Sequence, residues 1–212
     1  NKMTIVEAYV NHKHDVINRA SPATVLNDEE NRLLLISVLC ADARVRTNED
    51  GKFEYTGDPT ETALLDFGIL YNMHKDTVEK EFPRVAEIPF DSERKRMTTV
   101  NRMSENSTRV NVKGGLEEVL GVCDKIIIEG NVRAITGDDL EKIRSANDQM
   151  TNSALRVLAM AYKDCPSAPG NVSIGDLEKG LIFIGMLGMI DPARPEVIDA
   201  VARCRTAGIR PV

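Results

Sequence analysis

The sequence predicts a mixed α/β (α+β) fold: an antiparallel β-sheet flanked by helices, followed by the start of a second, parallel sheet. Three observations carry this. The middle of the chain reads as hairpin-joined strands with helices inserted between them, the order of an antiparallel layered domain. Residues 181–212 read as strand–helix–strand, the crossover that joins parallel strands. The 212 residues are 42% hydrophobic and 28% charged, a globular composition with room for one sizeable domain or one domain plus part of another.

Each element has a local reason. MTIVEAYV (3–10) alternates apolar and polar residues, as a half-buried strand does. Residues 28–43 predict a helix capped by Asn27 or Asp28, with acids in its first turn and a wide apolar run. NEDGKFEY is a turn into a short extended segment. In GDPTETALLDFGILYNM, Asp58 suits the N-cap, Pro59 the first helical position and Glu61 the third, the place of a capping-box acid. DTVEKEF forms a short helix that Pro83 ends.

EIPF, KRMTTVNRM and STRVNVK are extended, the last two joined as a hairpin across residues 104–106. LEEVLGVC is a short helix, and KIIIE pairs with VRAIT across Gly130-Asn131. Asp138 or Asp139 opens a helix that runs to about Ala154. ALRVLAMAYK is a strand, residues 164–180 are mostly loop, and LIFIGMLGMI is a buried strand. Pro195 opens a helix, and IRPV is the next strand. Met97, Met103, Met150, Met160, Met186 and Met189 fall on strand and helix faces, where methionine fills a core.

Composition excludes several classes. A net charge of −6 argues against a general nucleic-acid surface, so any anion site must be built locally. No apolar run approaches the roughly 20 residues that span a bilayer. The N-terminal residues do not read as a secretory signal. Cys40, Cys123, Cys165 and Cys204 are far apart, which suits reduced thiols. His12 and His14 form an HxH without an evident third metal ligand. Asn1-Lys2-Met3-Thr4 at one end and the apolar IRPV at the other suggest a piece of a larger chain.

Four constellations are candidates for chemistry, each with two readings. Phe90 and Lys95 in IPFDSERKRM can flank one ligand, the ring stacking on a base and the ammonium meeting a phosphate or ring edge. They can equally be a core Phe beside a solvated charged turn. Lys113-Gly114-Gly115 allows close backbone approach to an anion, or is an ordinary strand-to-helix turn; GxxxxGK[ST] is absent. Glu61 either completes its helix cap or accepts from the exocyclic amine of a base. Arg156 pairs with phosphate or with a surface acid. No nucleophile–base pair and no Ser/His/Asp signature is present. The residues alone reach a nucleotide- or anion-binding α/β domain.

Six segments in order go further: NKMT (1–4), GDPTETAL from Gly57, IPFDSERKRM from Ile88, VKGGLEEVLGVC from Val112, LRVLAMAY from Leu155, and GMIDPARPEVIDAVARCRTAGIRPV to the end. Together they resemble the nucleotide-binding domain of a P-type cation-transporting ATPase, in detail the calcium-pump branch with its bacterial members. The resemblance covers essentially the whole chain. In that family NKMT follows the DKTGTLT loop whose aspartate is phosphorylated, and AGIR leads into TGD; neither motif is in these 212 residues.

The resemblance implies residues 1–190 as the nucleotide-binding domain, with residues 1–6 as its incoming hinge. Residues 191–212 would be the outgoing hinge and a fragment of a Rossmann-like phosphorylation domain. Glu61 would contact the adenine amine with Thr60 beside it. Phe90 would stack on adenine, and Lys95 would close the pocket floor. Lys113 and Gly114 would line the adenine and sugar side, with Leu158 in the same set, and Arg156 would reach the phosphates. Asp191 and Arg194 would act at the hinge and catalytic interface, leaving Glu93, Arg94 and Arg96 as surface or entrance charges. Two departures stand out. Ser92 occupies a position where the animal pump has arginine, and Leu116 replaces the proline of KGAPE.

The implied parent is an ATP-driven membrane pump with phosphorylation, actuator and transmembrane domains as partners and Mg²⁺ as a cofactor not bound by this piece. This chain would be a monomeric cytoplasmic domain that binds ATP or ADP without hydrolysing it. An affinity on the order of 0.1–1 mM matches about −4 to −5 kcal/mol of base-centred contacts. Ca²⁺ is the cation the resemblance favours; Mg²⁺, Na⁺/K⁺ and H⁺ are alternatives. The competing function is a non-catalytic module that uses the same sheet to bind a protein.

Overall fold

A computed structural model describes residues 2–23, 25–166, 174–191 and 195–210. The elements in chain order are β1 (Thr4–Val10), β2 (Lys13–Val16), α1 (Asp28–Leu39), β3 (Arg44–Thr47), β4 (Phe53–Thr56), α2 (Pro59–Leu70), α3 (Lys75–Glu81), β5 (Arg84–Asp91) and β6 (Arg96–Ser104). Then follow β7 (Ser107–Gly114), α4 (Leu116–Leu120), β8 (Cys123–Ile128), β9 (Asn131–Ala134), α5 (Gly137–Asn152), β10 (Arg156–Cys165), α6 (Ile174–Leu177), β11 (Leu181–Ile190) and α7 (Pro195–Thr206).

Among the described residues the main sheet has nine strands, with the path β2-β1-β11-β10-β7-β6-β5. Every pairing along that path is antiparallel. β8 joins β11 in parallel and carries β9 as a hairpin partner. β3 and β4 form a separate two-stranded sheet. The expected antiparallel sheet flanked by helices is therefore what the chain builds.

Helices cover both faces of the sheet. One face packs Met160, Tyr162 and Ile184 against Leu34, Leu64 and Leu65 of α1 and α2. The other packs Val112, Ala161 and Phe183 against Val119, Ile143 and Met150 of α4 and α5. Fully burying each such large side chain stabilises the fold by roughly 1.5–3 kcal/mol. Met97, Met150, Met160, Met186 and Met189 are at most 1% exposed, so these methionines are core residues, whereas Met103, near the end of β6, is only half-buried.

The helix ends follow from local chemistry. Asn27 caps α1 in a full capping box with Glu30. Asp58 caps α2 by accepting from the Thr60 N–H, with Pro59 in the first turn. α5 begins earlier than expected: Thr136 is its cap and Asp139 the returning acid.

Other expectations change. α1 stops at Leu39, so residues 40–43 form a connector instead of a last helical turn. β2 was not foreseen, because KHDV is exposed throughout and owes its strand conformation to pairing with β1. α6 is a short helix within the expected loop. The crossover to a parallel sheet is not formed among the described residues. β11 lies between β1 and β10, antiparallel to both, and residues 209–210 belong to no strand. Residues 211–212 of that expected strand lie outside the described residues.

Candidate functional site

One end of the sheet gathers the candidate residues. Asp91 pairs with Arg96 where β5 meets β6, and Arg96 faces Gly114 at the end of β7. Gly114 faces Ala159 near the start of β10, Arg156 faces Met189, and Ile190 faces Thr4. A single line across the strand ends therefore runs from Phe90 and Lys95, past Gly114 and Arg156, to Thr4 and Ile190 on β1 and β11. Arg156 lies four positions along β10 from Met160, the partner of Lys113. At about 3.3 Å per residue that is roughly 13 Å, a spacing that suits a ligand with distinct ends.

Lys113 is the buried centre of the site. It is 5% exposed on β7, and its ammonium donates to Oε1 of Glu61 on α2. A buried cation requires such a partner. Glu61 does not complete a capping box. Its Oε2 accepts from the backbone N–H of Asp42, and from that of Ala43 at 3.2 Å. The carboxylate thus locks the connector after α1 against the start of α2. Two carboxylate oxygens offer four lone pairs and three are used, leaving one for a ligand donor. Cys40 sits behind this pair, fully buried, and burial pushes its thiol up despite the nearby Lys113 charge.

Phe90 is not a core residue: it is 62% exposed, in an irregular stretch between Ile88 and Asp91 where β5 slips its register against β6. Lys95 adopts a left-handed φ of 47° at the tip of the same hairpin. The Lys95 N–H donates to the Asp91 carbonyl at 2.7 Å, and the Gly115 N–H donates to the Lys95 carbonyl at 3.0 Å. The Lys95 ammonium lies 3.1 Å from Glu118, whose carboxyl this hydrogen bond holds below its ordinary value. Only glycine fits at Gly114. A Cβ there would lie 2.5 Å from the Lys95 carbonyl oxygen and 2.7 Å from Arg96 Cβ.

The remaining candidates divide. Ser92, Arg156 and Asp191 are exposed, and Leu158 is half-buried on the Lys113 face of β10. Thr60 turns away from the surface: it is buried, its hydroxyl 3.7 Å from the Met3 sulfur. Arg194 lies outside the described residues. Arg94 and Arg96 are not merely surface or entrance charges, since both pair with the buried Glu178 at 2.6 and 2.7 Å. His14 bonds Glu7 at 2.7 Å and His12 lies 3.1 Å from Asp139. Among the described residues no three His, Cys, Asp or Glu side chains gather to hold a metal.

An exposed ring, cations at two depths and a close-approach glycine along one strand-end line form a surface for a planar, anionic ligand. The sequence matches the P-type ATPase cytoplasmic domain N over residues 29–196. The chain belongs to this family. Its curated relatives include a calcium-transporting ATPase of Bacillus cereus, 42% identical over 212 residues. One of Listeria monocytogenes is 36% identical over 214, and a putative plasma membrane-type calcium-transporting ATPase of Arabidopsis thaliana is 35% identical over 215. Each alignment covers 99–100% of this chain and 21–23% of the relative. The chain therefore spans less than a quarter of the length of these relatives.

As a domain N, the chain meets its two departures differently. Leu116 is 7% exposed in the α4–α5 core cluster, so the residue in place of proline gains a packing role. Ser92 is exposed and brings no charge to the surface beside Phe90. Three features were not legible beforehand: the backbone donors of residues 42 and 43, the Lys95–Glu118 pair, and the Glu178 contacts. Each joins residues remote in sequence, and only the unexplained acid at position 61 hinted at one of them. No described helix is long and apolar enough to cross a membrane.

Proposed function

We propose that this chain is the ATP-binding domain of a P-type cation pump, a calcium pump by likeness to its named relatives. The observation that carries the reading is the strand-end line from Phe90 to Arg156 with the Glu61–Lys113 pair beside it. Adenine stacks on Phe90, its amine meets the remaining acceptor of Glu61, and Lys113 with Gly114 lines the inner wall. Lys95 closes the floor. The triphosphate then runs along the strand ends toward Arg156 and Asp191; Arg194, proposed for the same interface, lies outside the described residues.

The same geometry accounts for delivery. The strand ends carrying Arg156 also hold Thr4 and Ile190, the two connections of the domain. A nucleotide held by its base at the far end presents its phosphates on the hinge side. Residues 1–190 act as the nucleotide domain with residues 1–6 as the incoming hinge, and residues 191–212 lead toward the phosphorylation domain. Rotation on these hinges brings the γ-phosphate to an aspartate of the parent pump, in the cytoplasm beneath its membrane helices. Catalysis there rests on positioning and charge stabilisation.

Calorimetric titration with ATP and with inorganic triphosphate tests the reading. Base-centred binding predicts ATP saturation in the range of about 0.1–1 mM and triphosphate binding at least tenfold weaker. Equal binding of both would reduce the site to a general anion surface. No binding of ATP would favour the protein-interaction module.

A further inference from the structure

Glu178 is a buried acid in a segment that the nucleotide reading does not use. It follows α6 and is 4% exposed. Leu177 packs into the α4–α5 core, and the Lys163 ammonium donates to the carbonyls of Asp176 and Lys179 at 2.6 and 2.8 Å. The acid is therefore held rigidly from both sides.

Its carboxylate meets the hairpin that displays Phe90 and Lys95. Oε1 accepts from Arg94 Nη1 and from the Thr98 hydroxyl, both at 2.6 Å. Oε2 accepts from Arg96 Nε at 2.8 Å and lies 2.7 Å from Arg96 Nη2. Burial alone would raise this carboxyl, but hydrogen bonds from Thr98, Arg96 and Arg94 hold it below its ordinary value. The second terminal nitrogen of Arg94 donates to the Pro89 carbonyl at 2.8 Å, one residue before Phe90. At the other end of the turn, Asp91 Oδ1 accepts from the backbone N–H groups of Glu93 and Arg94, each at 2.9 Å.

From these contacts we infer that Glu178 is a positioning residue for the nucleotide surface, setting the Phe90 ring and the Lys95 ammonium through Arg94 and Arg96. The inference rests on the ATP-binding reading above. Arg94 and Arg96 are like charges on either side of Lys95, and Glu178 lies against both. The arginine fork also fixes direction, since one guanidinium reaches the buried acid and the Pro89 carbonyl at once. Without the acid, the cations repel, the fork loses its anchor, and a hairpin with slipped register and a left-handed Lys95 samples other shapes.

The test compares ATP affinity in wild type, Glu178→Gln and Arg94→Gln, each with and without Phe90→Ala. Either single change should raise the ATP Kd roughly three- to tenfold, with chemical-shift changes before ligand addition concentrated on residues 89–98 and around position 178. Acting through Phe90, both effects should shrink to less than about twofold in the Phe90→Ala background. Arg94→Gln leaves Glu178 paired with Arg96 and Thr98, so it reads out the same role should Glu178→Gln melt early. Unchanged Kd in both variants, or a full effect persisting without Phe90, overturns the positioning role while leaving ATP binding intact. Failure of wild type to bind ATP would instead remove the reading on which it rests.

Discussion

Glu61 and Lys113 form an ion pair between α2 and β7 in which the lysine is the more buried partner, at 6% side-chain exposure against 17% for the glutamate. Because Lys113 has the deeper charge, losing either member has unequal consequences. Glu61→Ala leaves a buried cation without its anion and should cost about 3 kcal/mol of stability. Lys113→Met leaves Glu61 with two backbone donors and a path to solvent, and should cost less than half of that. Urea denaturation of the two variants measures the asymmetry; equal costs would mean that the pair is not organised around the lysine.

Phe90 separates stability from binding. Its ring is mostly exposed, so Phe90→Ala should change unfolding free energy by no more than about 0.5 kcal/mol. ATP binding should weaken by roughly 1–3 kcal/mol as the stacking platform is lost. Thermal melts and calorimetry on one preparation give both numbers. A large loss of stability with no change in affinity would make the ring structural.

On the proposed reading, Glu118 would compete with nucleotide for Lys95. Their pair, 3.1 Å apart, lies at the surface and contributes little to folding. Glu118→Gln should free the ammonium and remove a negative charge from beside the adenine pocket, tightening ATP binding roughly two- to fivefold at low salt. The gain should fade by 0.5 M salt, a titration that calorimetry follows directly.

Acid should destabilise the domain in two steps. Burial pushes His12 below its ordinary value; Asp139 pulls it the other way, and Lys142 and Arg133 push it down again. A histidine that resists protonation in the fold makes stability fall as pH drops below its unfolded value of about 6.5. Its left-handed φ of 58° makes His12→Asn a sound replacement that should erase this step. Asp139 is held well below the usual carboxylate range by the Arg133 guanidinium first, with Thr136 assisting against burial. Its contribution is complete above about pH 4 and is lost only below it. Asp139→Asn should lower stability by about 1–3 kcal/mol at neutral pH and flatten the melting profile below pH 4. Melting temperatures between pH 8 and 2 check both steps.

Much of the fold was legible because its causes are local. Asn27 and Asp58 announce α1 and α2, and alternation announces β1, β6 and β7. β2 is not marked in the sequence because Lys-His-Asp-Val, with a single exposed apolar residue in Val16, buries no face; its partner residues 7–10 supply the order. Thr136 was passed over as a cap because the acids after it are equally plausible ones. The expected crossover is not formed among the described residues: a buried apolar strand looks alike in either sheet style, and β11 takes antiparallel partners in β1 and β10.

The site was legible to a similar depth. Glu61, Phe90, Lys95 and Lys113 stand out by residue type and by resemblance to the family. The burial of Thr60 against Met3 depends on a contact 57 residues away in sequence, and the Glu178 anchor of the Phe90 turn on contacts 80–84 residues away. No window of sequence contains them.

The most direct test of the nucleotide surface is a two-dimensional amide NMR titration of the 212-residue chain with ATP. Shift changes should concentrate on Glu61, Phe90, Lys95, Lys113 and Gly114 and saturate at low-millimolar ATP. A spectrum unmoved at several millimolar would contradict the account, as would changes centred on the charged cavity of about 380 Å³ between Asp42, Arg44, Lys75 and Arg84.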